Sequence, residues 1–371
     1  MADLKNIQKT DLQALWRMAY PLMLTALSGN LMLFIDRILI SKFDIIAMAA
    51  VATVGMLFTI FQFGAVSIAS IAEVFVGKYN GAKEYNKIGP VIWQMIWFSL
   101  LTIVIFVPVG LLCGALFLPT QYHNYGIPYF KVIMIFGPFF PLIATLSSFY
   151  IGLGKVKLIL ISTILANIVN VILDVILIFG IESYIPAMGT FGAALATGIA
   201  ASLQTILLFI FFIQEKYKVK YQTKNIKFSF DIFKNCLKIG VPNSLGFFVE
   251  MVAWAVLLQI TAYHSNEHII VLAAGQTIFL LLAFTSDGLQ KSIIGITANI
   301  IGGKKLELLP QLIKSAIKLH LIMILCFSIP VIFYPEHIIQ FFLSNGSESL
   351  NNNIAGICKH NLFISIIIFY I

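Results

Sequence analysis

Residues 157–180 read KLILISTILANIVNVILDVILIFG, an apolar run whose most polar members after Lys157 are Asn167, Asn170 and Asp174. A helix of about 20 such residues crosses the hydrocarbon core of a bilayer. The run is continuous and lacks the alternation of polar and apolar residues that a strand of a membrane barrel needs. It therefore predicts a transmembrane helix, and it decides the fold class because similar runs recur along the chain.

The composition agrees with this interpretation. Of 371 residues, 60% are hydrophobic and only 11% are charged, against roughly 25% charged in soluble domains. We count about ten spans and predict an all-α polytopic membrane protein. The predicted spans are residues 16–40, 47–77, 90–118, 127–153, 157–180, 188–213, 237–262, 269–300, 311–334 and 354–371.

Charge and motifs disfavour several other classes of protein. The formal net charge is +8, but the basic residues lie in short gaps between apolar runs, so no nucleic-acid partner is expected. The four cysteines lack the spacing of a metal site or a disulfide framework, so no metal is predicted. Walker A, GxGxxG and GxSxG motifs are missing from the sequence. We therefore expect neither an ATP-driven pump nor an enzyme, and no cofactor.

The lysines predict the orientation in the membrane. Most lysines outside the predicted spans lie before the first span and in every second loop after it, whereas the alternate loops carry Lys42 with Asp44 and otherwise mainly acidic residues. By the positive-inside rule, the N-terminus is expected in the cytoplasm. The expected location is the inner (plasma) membrane of a bacterium-like cell, with the lipid bilayer as partner and a monomer as the oligomeric state.

A polar, lysine-rich segment divides the chain into two related halves. We predict an N-lobe of six spans at residues 1–215, a cytoplasmic basic linker at 216–234 and an incomplete C-lobe of about four spans at 235–371. Motifs recur across the linker at offsets of 221 to 224 residues, such as Gly-Ala-Lys at 81–83 and Gly-Gly-Lys at 302–304. Such offsets favour two parallel repeats of a helical bundle.

The sequence stops at Ile371, inside its last apolar run. If each half needs six spans, the second half lacks about two of them. A naturally shortened gene and a fragment of a longer protein are both compatible with this end.

Asp174 is the leading candidate for a functional side chain, because an ionisable residue within a span costs at least about 2.5 kcal/mol. Asn167 and Asn170 precede it by seven and four residues, so the three share one helix face. Their oxygens could bind a small cation, or the carboxylate could exchange protons. The alternative role is to join neighbouring helices, which suits the asparagines better than the aspartate.

Asp36, in the first span, is the second candidate acid. Its alternative role is an ion pair with Arg37 that reaches the headgroups. Thr197 follows a run of small residues in the sixth span and could add a hydroxyl ligand. A threonine in a membrane helix more often bonds its own backbone.

In the second half, Glu250 is a possible second acid, flanked by aromatic and apolar residues in the seventh span. Gln276 and Asp287 in the eighth span are lesser candidates for the lining of a cavity, as is Asn167 in the fifth.

The segments at 152–155, 170–174, 178–180, 186–189 and 192–197 resemble, in type and order, the multidrug and toxic compound extrusion (MATE) family. The resemblance implies two six-helix lobes, so that about ten of an expected twelve transmembrane helices are present. It also implies export of organic cations and drugs in exchange for Na⁺ or H⁺.

Carried over by motif, the resemblance assigns the family's cation site to Asp36, Asn170, Asp174 and Thr197, and matches Glu250 to an acid of the seventh span. We therefore expect a cation-coupled antiporter that exports a small organic cation by alternating access. One alternative is a lipid-linked saccharide flippase of the same superfamily, whose cavity would carry basic residues. Another is a truncated remnant that does not transport.

Overall fold

The computed structural model describes residues 10–181, 184–264 and 266–333. Over these ranges the chain is helical, apart from loops and one isolated antiparallel bridge between Ile181 and Ile185. Eight segments of the described residues are helices long and apolar enough to cross a membrane. The predicted all-α polytopic membrane fold is confirmed.

Most helices lie before the lysine-rich segment. They are α1 (Leu12–Phe43), α2 (Ile45–Ser70), α3 (Ala72–Gly81), α4 (Ile88–Leu101), α5 (Ile103–Leu112), α6 (Gly114–Phe117), α7 (His123–Phe136), α8 (Phe139–Gly152), α9 (Lys157–Phe179) and α10 (Gly189–Phe212). A short helix, α11 (Glu215–Tyr221), begins the linker. The described part of the second half contains α12 (Phe230–His264), α13 (Asn266–Gly302) and α14 (Leu309–Phe333).

Each of the first nine predicted spans coincides with helical segments, and the tenth, residues 354–371, lies outside the described residues. Some spans are interrupted. The second is broken at Ile71, between α2 and α3, and the fourth at Gly137 and Pro138, between α7 and α8. Pro138 has no N–H to continue the hydrogen-bond ladder. Pro242, in contrast, lies within the continuous helix α12.

The linker is docked onto the first half. Trp93 of α4 donates its indole N–H to the Thr223 carbonyl at 2.7 Å. Gln94 donates to the Lys227 carbonyl at 3.0 Å and accepts from the Ser229 N–H at 3.0 Å. The Lys220 ammonium lies 4.4 Å from the centre of the Tyr85 ring, and Lys155 Nζ donates to the Tyr217 hydroxyl at 3.2 Å. The linker therefore lies beside the loops at 82–87 and 153–156, and we call this side of the molecule, with the loop at 303–308, the lysine end.

Helices α3 and α13, one in each half, end in the same way at an offset of 221 residues. The Ala82 N–H donates to the Lys78 carbonyl at 2.9 Å, and the Gly303 N–H donates to the Asn299 carbonyl at 2.9 Å. The next lysine is left-handed in both loops, with φ of 62° in one and 54° in the other. A 3₁₀ turn then follows each, at Tyr85–Lys87 and Leu306–Leu308. This equivalence is what parallel repeats produce, while the lobe boundaries stay a prediction.

The contact between α3 and α13 is also reciprocal, and we call it the seam. A Cβ atom at Gly81 would lie 2.8 Å from the Asn299 carbonyl carbon, and one at Gly302 would lie 2.7 Å from the Lys78 carbonyl carbon. The offset of 221 residues relates these two contacts. Each half therefore presents a glycine to the backbone of the other, an approach that a side chain would block.

The halves touch near the lysine end and separate towards the opposite end. Met23 of α1 is buried against Gly288 of α13, but Phe34, on the same face of α1 eleven residues later, is 50% exposed. On α12, Phe247 stacks on Phe63 of α2 with ring centroids 4.9 Å apart. We call the region between the halves beyond these contacts, on the side of the exposed Phe34, the gap.

Candidate functional site

Three helices of the first half position the candidate cation site. Helix α9 packs against both α1 and α10. Its face towards them carries Asn170 and Asp174, which are fully buried, and the facing residue of α1 is the half-buried Asp36. The four-residue spacing on α9 stacks the amide directly below the carboxyl group. The sequence thus places two acids and an amide at one crossing of helices.

The polar groups at this crossing are bonded to one another. The carboxyl groups of Asp36 and Asp174 are in hydrogen-bond contact. With the Asn170 amide oriented to suit its neighbours, its nitrogen donates to Asp36 Oδ1 at 3.1 Å and to Asp174 Oδ2 at 3.2 Å. The amide oxygen accepts from the Thr197 backbone N–H at 3.3 Å. The two acids therefore face a shared polar pocket.

This geometry restricts the charge of the pair. Two carboxylates in contact repel each other, so one of them carries a proton when no other cation is bound. Asp174 Oδ1 is buried and accepts no hydrogen bond from the described residues. A buried acceptor without a partner is costly. The pocket is therefore suited to binding a proton or a small cation at this oxygen.

Thr197 contributes its backbone more than its side chain. Its hydroxyl donates to the Ala193 carbonyl at 3.0 Å, four residues earlier in α10. This is the common behaviour of threonine in membrane helices. The hydroxyl proton is thus committed, and the direct contact with the pocket is the N–H bond to Asn170.

Asn167 lies outside the cluster of carboxyl groups. Its amide nitrogen donates to Ser28 Oγ at 2.7 Å and to the Ser28 carbonyl at 2.9 Å, joining α9 to α1. The helix-joining role therefore describes Asn167, whereas Asn170 bridges the acids. The ion pair of Asp36 with Arg37 is not formed among the described residues.

Tyr129 of α7 lies beside the site, although its sequence context does not mark it. Its ring packs against the buried cluster that contains Ile40 and Ile178, which lie one turn after Asp36 and Asp174. A tyrosine in an apolar run has no spacing or motif that would distinguish it from packing residues. Only the fold of α7 against α10 brings it to the pocket.

The candidates of the second half are not part of this cluster. Glu250 is exposed and follows Phe247 by three residues, so it points into the gap from α12. Asp287 of α13 is exposed as well. Gln276 lies within the bounds of α13, but its side chain lies outside the described part of the structure.

Comparison with known proteins adds an independent line of evidence. The MatE family model matches residues 21–176, a range that contains Asp36, Asn170 and Asp174. "Probable multidrug resistance protein NorM" of Bacillus subtilis (strain 168) is 28% identical over 288 residues, covering 74% of this chain and 62% of the relative. "Multidrug export protein MepA" of Staphylococcus haemolyticus is 24% identical over 280 residues, covering 72% of this chain and 59% of the relative.

The chain thus matches about six tenths of the length of these curated relatives. Solved structures share the fold of this chain. "Crystal structure of MATE in complex with MaL6" has a TM-score of 0.88 at 18% identity, covering 100% of this chain and 83% of that chain. "Outward-facing conformation of a multidrug resistance MATE family transporter of the MOP superfamily" has a TM-score of 0.86 at 16% identity, covering 100% and 82%.

The family model, the relatives and the shared fold agree with one another and with the polar cluster in the first half. Residues 21–176 thus match the MatE family model, and the chain has the fold of the solved MATE structures.

Proposed function

We propose that this protein is a cation-coupled antiporter that exports organic cations by alternating access. The observation that carries the proposal is the contact between Asp36 and Asp174 around Asn170, inside a largely apolar bundle. Charged residues are rare within membrane helices and mark the paths of ions and protons. The multidrug names of the relatives support an export role.

The proposed coupling ion is a proton, with Na⁺ as the alternative. With no cation bound, the Asn170 amide suits its neighbours best with its nitrogen, a donor, towards both carboxyl groups and its oxygen towards the Thr197 N–H. A Na⁺ ion in the pocket would need oxygen ligands, and the amide would have to reverse. A proton needs no such change, because the carboxyl pair itself can hold it.

Helix α1 is the proposed connection between the site and the conformational change. It carries Asp36 in its later half, and its first half is packed against α13 of the other lobe through Met18 and Met23. Protonation or deprotonation of the pair changes the charge and hydration beside α1. A shift of α1 would then move the residues through which it contacts the other half.

The proposed substrate is an amphipathic organic cation bound in the gap. Glu250 and Asp287 are exposed and supply negative charge, and Phe34, Phe63 and Phe247 supply exposed or partly exposed aromatic surface nearby. Cations bind well to such combinations of carboxylate and aromatic faces. Proton binding and substrate binding oppose each other by one coupling free energy.

The proposed location is the inner membrane, with the N-terminus in the cytoplasm. The lysine end gathers the basic loops and the docked linker on one side, as the positive-inside rule requires of the cytoplasmic side. In this orientation the gap opens away from the cytoplasm.

The proposal is tested by export of ethidium from cells or from proteoliposomes with a proton gradient. Asp174→Asn removes the titratable group but keeps its size, and we expect export to fall to the background rate. Glu84→Gln is the matched control, because Glu84 is an exposed loop acid paired with Lys87 at 2.8 Å. We expect the control to export like the natural chain.

Insertion and monodispersity in detergent confirm that Asp174→Asn is folded. Gradient-driven export by the folded Asp174→Asn protein at the natural rate would exclude the pair as the coupling site.

A further inference from the structure

Glu73 is a buried acid that the proposed coupling site does not use. It is the second residue of α3 and is 4% exposed, and its Oε1 atom accepts no hydrogen bond from the described residues. Gly77 and Asn80 follow by four and seven residues, on the same helix face. Asn80 Nδ2 donates to Asn299 Oδ1 at 2.7 Å, and a Cβ atom at Gly77 would lie 2.6 Å from Ala298 Cβ. Glu73 therefore lies on the seam face of α3.

The position of Glu73 along the seam follows from the direction of the two helices. Gly77 faces Gly295 and Ala298, and Gly81 faces Asn299, so residue numbers rise in the same direction along α3 and α13. Glu73 lies one turn before Gly77, further from the lysine end. Its level on α13 is one turn before Gly295, which is the level of Lys291.

Lys291 is the charged neighbour of Glu73 from α13. It is exposed, and Asp287 lies one turn before it on the same helix. Glu73 forms no ion pair with it: among the described residues, ion pairs within 4.0 Å join only Lys87 to Glu84 and Lys218 to Glu215. The exposed Lys291 ammonium therefore lies more than 4.0 Å from the carboxyl group of Glu73, which is buried in the seam.

The other elements packed against α3 offer little compensation. Helix α8 contributes one titratable side chain with a known partner, Tyr150, whose hydroxyl donates to the Leu208 carbonyl at 2.8 Å. Helix α4 carries no titratable residue. On α3 itself, Lys78 and Tyr79 lie more than one turn away, and the adjoining 3₁₀ turn carries Tyr85 and Lys87 at the lysine end.

An ionised carboxylate in this environment would be unfavourable. Burial of a charge without a paired cation or donors costs several kcal/mol, and a carboxyl group in such a place takes up a proton instead. If the seam opens, as alternating access requires, water reaches Glu73 and the group ionises like an ordinary carboxylate at neutral pH.

We propose that Glu73 is a second proton-binding site, located in the seam and separate from the Asp36–Asp174 pair, whose proton is bound when the seam closes and released when it opens. This inference rests on the proposed alternation between two states. The proton bound at Glu73 is additional to the proton that Asp36 and Asp174 share.

The sign of the effect follows from linkage. The closed seam binds one proton more than the open seam, so acidic conditions favour closure. A single proton changes the ratio of closed to open protein by up to about tenfold per pH unit. Glu73→Gln mimics the protonated side chain and should keep the seam closed at every pH.

The test measures the distance across the seam with spin labels. Asn86 and Glu307 are exposed residues of the equivalent 3₁₀ turns, one in each half, and each is replaced by cysteine in a chain whose native cysteines are alanine. The labelled protein carries Asp36→Asn and Asp174→Asn, so that the first-half pair cannot titrate. Distances are recorded in nanodiscs between pH 5.5 and 8.5, with and without Glu73→Gln.

We expect the closed population to rise as the pH falls, and Glu73→Gln to abolish this response. A second neutral variant, Glu73→Leu, guards against an effect of the amide group, and Glu84→Gln is the control for loss of an exposed acid. A seam that ignores pH with Glu73 present, or that responds equally with Gln or Leu there, would overturn the inference. Because the Asp36–Asp174 pair is already removed, this result is independent of the ethidium export test.

Discussion

An alanine at Gly81 should hold the seam open. Its methyl group would meet the backbone of Asn299, with the carbonyl carbon at 2.8 Å, and backbone cannot rotate away as a flexible side chain can. Closing the seam then requires the halves to shift and weakens the bond between Asn80 and Asn299.

The magnitude comes from two effects. Overpacking costs about 1 to 3 kcal/mol, and the loss of one hydrogen bond costs about 1 kcal/mol. The higher helix propensity of alanine is gained in both states of the seam and therefore cancels from the closed-to-open ratio. A total cost of about 2 to 4 kcal/mol reduces the ratio of closed to open protein about 30- to 900-fold.

The assay is the spin-label distance between positions 86 and 307. Gly302→Ala should have an effect similar to that of Gly81→Ala, because its methyl group would meet the backbone of Lys78 in the equivalent geometry. Gly55→Ala in α2 is the control, since a Cβ atom there has nothing within 4 Å. A closed population unchanged by Gly81→Ala would refute the account of the seam.

Three further predictions concern other contacts. Asn170→Ala should reduce ethidium export about tenfold or more, because the acids lose a shared donor, whereas Asn167→Ala should lower the thermal midpoint and spare export. Gln94→Ala removes two bonds to the linker and should destabilise the protein by about 1 to 2 kcal/mol, measured by thermal unfolding in detergent. The N–H of Ala47, the Tyr125 hydroxyl and the N–H of Ile46 lower the pKa of Asp44 below 3.8. The Asp44 side chain therefore caps the N-terminus of α2 above pH 3.8, and the cap is lost as the pH falls through the lowered pKa. This loss should speed hydrogen exchange at Ile46 in the natural chain. In Asp44→Ala, exchange at Ile46 should be fast at every pH.

Much of the fold could be predicted from hydropathy alone. A helix such as α9 has to be apolar nearly throughout to cross the bilayer, so its bounds differ from the predicted span by a single residue at Phe179. The helix break near Pro138 could not be predicted from the proline alone, because Pro242 has the same chemistry and its helix is continuous. Which proline breaks a helix depends on its packing and on neighbours such as Gly137.

The candidate site could be predicted in part. Asp174 and Asn170 are conspicuous as polar side chains in an apolar run, and their spacing alone puts them on one face. Tyr129 gave no such signal, since an aromatic residue is common in any span. Glu73 was also not selected, because it lies near a helix break and close to the lysine-rich loop at 82–87, where an acid looks exposed. Its burial depends on α13, which is more than 200 residues away in sequence.

The most direct test of the central claim counts the protons released when the substrate binds. The natural chain in weakly buffered detergent solution is mixed with saturating ethidium near neutral pH, and released protons are read with a pH indicator. If Asp36 and Asp174 share a proton that opposes substrate binding, about one proton should appear per ethidium bound. The chain with both Asp36→Asn and Asp174→Asn should bind ethidium and release none from this pair. Equal release from the double variant and the natural chain would contradict the account.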